Sequence, residues 1–140
     1  LLRYRTKDLT SLITEPCECG RTNVRITRII GRSDDMLIIR GINVFPSQVE
    51  SVILEMKEFE PQYMLVVDRQ GNLDTLEVQV ELRKELYTDE MGSLLNLKKK
   101  LADRLKSVLS ISAQVKLMEP NSIPRSEGKS KRVIDKRIIK

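Results

Sequence analysis

The chain has 140 residues, a formal charge of +5, 40% hydrophobic residues and 32% charged ones. That length carries one domain-sized core, and that balance excludes a disordered or fibrous chain. No apolar run nears the ~20 residues of a membrane span, and two cysteines one residue apart exclude a disulfide scaffold, so a reducing cytoplasm is the expected setting.

Residues 1–33 follow no single period. Residues 15–23 are turn-rich around Pro16 and Gly20, and 23–30 alternate roughly as a strand does. The stretch is too short to bury a core of its own. With Leu1 falling inside a patterned run, it is expected to be the C-terminal edge of a larger preceding domain. Residues 36–39 read as a short apolar strand. Residues 47–50, Ser-Gln-Val-Glu, fit a capping box. Val49, Val52, Ile53 and Met56 recur at helical spacing, predicting a helix over roughly 47–57. Residues 62–67 read as a strand, 68–72 as a hairpin turn, and 75–82 as a half-buried strand with Glu77, Gln79 and Glu81 facing water. A helix over about 88–109 puts Leu94, Leu97, Leu101, Leu105 and Val108 on one stripe. Residues 112–118 form a last strand, and 133–140 add a final helical turn. From 36 to 118 the order is β-α-β-β-α-β. It predicts an α+β, ferredoxin-like fold, an antiparallel sheet with two helices on one face.

The charge excess is local. Between residues 125 and 140, seven basic side chains stand against two acidic ones, which suits phosphate or another polyanion. Within that segment Gly128 lets backbone approach a ligand, and Lys129 brings a compact cation and three donors to an oxyanion. Taken alone, the pair reads better as part of a solvated basic tail. Asp8 offers two acceptor oxygens that suit the paired hydroxyls of a ribose, but standing alone it reads better as a surface aspartate or a turn residue. Arg32 and Asp34 read as a surface ion pair of little energetic weight or as part of a pivot. Cys17 and Cys19 could be half a metal site, but a structural zinc needs four ligands and the chain has no histidine. Two unligated thiols are the better reading.

Three strings occur in order: YRTKDLT at 4–10, GRSDDMLIIRGINVFPSQVE at 31–50 and IPRSEGKSKRV at 123–133. Together they resemble the adenylate-forming acyl-CoA synthetases and ligases, in particular the phenylacetate–CoA ligase branch. The resemblance implies that residues 1–33 close a large AMP-binding domain and include the start of the hinge, and that 34–140 form a mobile C-terminal domain. It implies Lys129 as the adenylation lysine, Asp8 and Arg32 on the nucleotide, Asp34 as the hinge, Gly41 against the pantetheine chain of CoA and Arg40 near a CoA phosphate. Most of the superfamily carries a small hydroxyl residue where Glu127 stands and a glycine where Lys7 stands. Both departures look like the aryl-acid branch.

The implied reaction joins a small aryl carboxylic acid, such as phenylacetate, to CoA. ATP and Mg2+ would be held mainly by the preceding AMP-binding domain, so these residues alone are expected to be inactive. A homodimer of the intact enzyme is compatible with this reading, and neither nucleic acid nor membrane is an expected partner. Other readings are another AMP-forming acyl- or aryl-CoA ligase, a basic nucleic-acid module or a ligand sensor on the same fold. RNA-binding domains of this topology stack bases on sheet aromatics. Here Tyr63 is the only aromatic residue in the two predicted central strands.

Overall fold

The computed structural model describes residues 4–86, 91–125 and 132–137, with Met91 described by its backbone alone. The chain separates into two compact units, residues 1–36 and 37–140.

The first unit holds four strands of two residues each: Asp8–Leu9 (β1), Leu12–Ile13 (β2), Arg25–Ile26 (β3) and Gly31–Arg32 (β4). β1 pairs with β4 and β2 with β3, both antiparallel. The strand expected over 23–30 shortens to two residues. Val24, Ile26, Ile29 and Ile30 are all more than half exposed, so no packed face extends the ladder. Threonine side chains help instead: Thr10 Oγ1 donates to the Thr27 carbonyl at 2.8 Å, and the Ser11 N–H donates to Thr27 Oγ1 at 3.0 Å.

The second unit opens with a hairpin, Leu37–Ile39 (β5) and Ile42–Val44 (β6). Arg40 and Gly41 join the strands with φ of 52° and 76°, as a two-residue turn matched to strand twist requires. Helix α1, Pro46–Glu55, follows. Pro46 is its first residue because proline's fixed φ suits that position and its missing N–H is no loss there. The cap therefore differs from the expected Ser47–Glu50 box. Phe45 is the N-cap, and its N–H donates to Gln48 Oε1 at 3.0 Å. Phe59–Gln70 (β7) and Leu73–Leu82 (β8) form a long antiparallel pair about Gly71, at φ 61°. Helix α2, Met91–Leu109, then leads to Gln114–Met118 (β9), and Val133–Asp135 (β10) is the last described strand.

The α+β class and the two helices among strands are as the sequence predicts. The sheet, however, is mixed rather than antiparallel. Its order is β10-β7-β8-β9, with β10 parallel to β7 and β9 parallel to β8. β5 is not in it, because the 40–41 turn folds β5 straight back onto β6. The residues expected as a helical turn supply β10 instead: Val133 and Ile134 favour the pleated surface and pair with Leu65 and Val66.

One face of the sheet presents Tyr63, Leu65, Val67, Leu76, Val78, Val80, Leu82 and Val115 to a single core. Val49, Val52 and Ile53 of α1 and Leu101 and Leu105 of α2 complete it. The α2 stripe ends at Leu109, which is buried; the expected Val108 is 36% exposed. Four residues from Leu105 return to the same helix face, whereas three turn partly off it. Among the described residues, no helix is long and apolar enough to cross a membrane.

Candidate functional site

In the first unit, the register of β1 and β4 sets Asp8 directly opposite Arg32. Arg32 then turns to Asp34: Nε donates to Oδ1 and Nη2 to Oδ2, each at 3.0 Å. This fork-to-fork geometry is the strong form of an ion pair. Lys7 Nζ lies 3.5 Å from the same carboxylate. The hydrogen bonds from Arg32 hold the Asp34 carboxyl at a pKa of about 2, and Asp34 in turn raises that of Arg32. Asp8 and Arg32 thus share one small ladder, and Asp34, in the turn just after it, is held by the Arg32 side chain. Lys7 has φ 66°, a left-handed conformation that favours glycine.

In the second unit, Arg40 and Gly41 form the exposed tip of the β5–β6 hairpin. A Cβ built on Gly41 meets nothing within 4 Å, so the backbone there is open to a ligand. Arg40 Nε donates to the Asp74 carbonyl at 2.6 Å. Sequence reasoning singled out neither Asp74 nor its partner Arg137. Arg137 donates to the Ile38 carbonyl at 2.7 Å and to Asp74 Oδ2 at 3.0 Å. Arg69 donates to Asp74 Oδ1 at 2.8 Å. The guanidinium of Arg69 foremost, then that of Arg137, lowers the pKa of Asp74.

Lys129 lies outside the described residues. Both flanks of its segment are anchored. Glu81, expected to face water, is completely buried. Its oxygens accept the Asn121 N–H at 3.1 Å and the Ile123 N–H at 2.7 Å, and Arg125 approaches to 3.8 Å. A glutamate in an alternating strand gives no sequence signal of this, because its partners are 40 and more residues away. Past the segment, Arg132 pairs with Glu50 at 2.6 Å and lies 4.9 Å above the Tyr63 ring. Glu50, assigned by its sequence position to a cap, serves this pair instead.

The thiols of Cys17 and Cys19 are 2.9 Å apart, and the hydrogen bond from Cys17 lowers the pKa of Cys19. Among the described residues, no group of three or more histidine, cysteine or carboxylate side chains is placed to hold a metal ion.

Residues 41–137 match the family described as the AMP-binding enzyme C-terminal domain. Over 99% of its length the chain is 48% identical to the phenylacetate–coenzyme A ligase of Escherichia coli, and over 98% it is 45% identical to that of Thermus thermophilus. It spans about a third of these relatives, 31% and 34% of their lengths. Among solved structures, it is similar to a 2-hydroxyisobutyryl-CoA ligase in the postadenylation state with a bound adenylate. There the TM-score is 0.80 at 34% identity, covering 94% of this chain and 28% of that one. A domain of phenylacetate–coenzyme A ligase from Bacteroides vulgatus gives a TM-score of 0.69 at 34% identity, covering 75% of this chain and 95% of that one.

Proposed function

Because the chain belongs to the C-terminal domain family of AMP-binding enzymes, we propose that it serves an aryl acid–CoA ligase, with phenylacetate as the acid. The observation that carries this reading is the β1–β4 register, which sets Asp8 beside Arg32. A carboxylate that can accept from both ribose hydroxyls then stands next to a cation suited to nucleotide phosphate.

The reaction has two steps. A carboxylate oxygen of the acid attacks the α-phosphorus of ATP and pyrophosphate leaves. The CoA thiol sulfur then attacks the acyl carbon and AMP leaves. In the first step the Lys129 ammonium faces the oxygens where negative charge gathers, the main help a protein gives to such a transfer. In the second, the open backbone at Gly41 takes the pantetheine chain and Arg40 the CoA phosphates. Asp34 is the pivot between the two poses, with residues 1–33 closing the AMP-binding domain and 34–140 moving. Magnesium enters with ATP, and no residue of this chain is assigned to it.

The test is Lys129→Ala in the full-length enzyme, with each half-reaction assayed separately. ATP–pyrophosphate exchange falls by about 10²–10³-fold, while thioester formation from supplied acyl-adenylate survives. Equal loss of both removes the assigned role. The likeness to a 2-hydroxyisobutyryl-CoA ligase supports a second reading, a ligase of another small acid. Exchange assayed with phenylacetate and with 2-hydroxyisobutyrate decides between them.

A further inference from the structure

The 40–41 turn is exposed and carries no core side chain of its own. Two guanidinium groups hold it. Arg40, the turn's first residue, donates to the backbone carbonyl of Asp74, near the start of β8, at 2.6 Å. The Ile38 carbonyl, on the strand entering the turn, accepts from Arg137 at 2.7 Å. The same Arg137 nitrogen meets the Asp74 carboxylate at 3.0 Å, and Asp135 receives the Nη2 edge at 2.6 Å. Arg137 therefore joins the hairpin strand, the start of β8 and the end of β10 through one planar group. The Arg137 and Asp74 side chains are only 11% and 12% exposed, so solvent screens them less than a surface pair. A guanidinium bonded along both edges also fixes direction, which a single point charge does not.

We infer that Arg137, acting with Asp74, is the positioning residue of the CoA turn, setting where Arg40 and Gly41 stand for thioester formation. It has no part in adenylation. This rests on the reading of the 40–41 turn as the pantetheine contact. Adenylation would use the other pose, with Lys129 at the acid, so a displaced turn burdens only the second step. A displacement near 1 Å at such a contact is enough to matter, since misplacement on that scale costs up to about 10²-fold in rate.

The test uses the full-length enzyme. Arg137→Lys keeps the positive charge and loses the planar, two-edged contact. ATP–pyrophosphate exchange is expected to stay within about twofold, while KM for CoA, measured with preformed acyl-adenylate, rises about tenfold. Asp74→Asn shifts the same constant in the same direction. The double variant is no worse than the more severe single one, because the groups act as a unit. If Arg137→Lys fails to fold, Asp74→Asn carries the measurement. A parallel fall in both half-reactions overturns the inference, since it marks a merely structural role. An unchanged KM for CoA also overturns it. Gly41→Ala separates the two failures. Impairment by Gly41→Ala alone sinks the role of Arg137 and leaves the CoA reading standing. No effect from either sinks the CoA reading and this inference with it.

Discussion

Asp34 accepts both edges of Arg32 and lies 3.5 Å from Lys7, which makes its titration a direct readout of that pair. Its carboxyl is lowered from an ordinary value of 3.8 to about 2. The pair's contribution is therefore fully present above about pH 4 and is lost as pH falls through about 2. Carboxyl NMR on Asp34 should show that midpoint; titration near 4 would mean the pair is not held in solution. Glu81 makes the opposite case, a buried carboxylate on the strand face expected to be wet. Glu81→Ala strands the Asn121 and Ile123 N–H groups. It should lower unfolding free energy by about 2–3 kcal/mol in denaturant titration. A change below about 0.5 kcal/mol, the range of ordinary surface substitutions, would show that water replaces it without cost. Lys7 holds a φ of 66°, a left-handed conformation that costs a glycine less than a residue with a side chain.

At the scale of elements, α2 carries the sharpest disagreement with a simple periodic reading. Leucines at 101 and 105 are fully buried, and the stripe continues to Leu109 rather than Val108. Leu105→Ala should cost about 2–5 kcal/mol, as cavities in packed cores do, whereas Val108→Ala should cost less than about 1 kcal/mol. Equal effects in thermal or chemical unfolding would contradict the packing. The β5–β6 hairpin shows how a turn decides topology. Two adjacent residues at positive φ fold β5 back onto β6, so the first strand of the β-α-β-β-α-β order never enters the sheet. Both helices and strands β5, β7, β8 and β9 were legible because apolar spacing reports them locally, whereas β6 was missed and β10 read as a helical turn. Strand order was not legible, because it depends on which backbone groups are already paired.

For the whole molecule, the proposed chemistry needs an acid pocket, and the chain spans only about a third of the length of the relatives it matches. The 140 residues alone should therefore show no ATP–pyrophosphate exchange with phenylacetate, and measurable turnover would overturn the division of labour proposed above. On the proposed division, Asp8, Arg32, Gly41 and Lys129 would each offer a group to a substrate that the rest of the enzyme brings.

Sequence alone determined the α+β class, the extent of both helices within a few residues, and the family resemblance through three ordered strings. All three are local properties of consecutive side chains. Tertiary structure alone decided that the sheet is mixed, that β10 closes its edge, that Glu81 is buried and that Arg137 meets Asp74 and Ile38. Those contacts join residues 37 to 99 positions apart. A charge far along the chain carries no mark of its partner until the core has folded and brought the two within hydrogen-bonding reach.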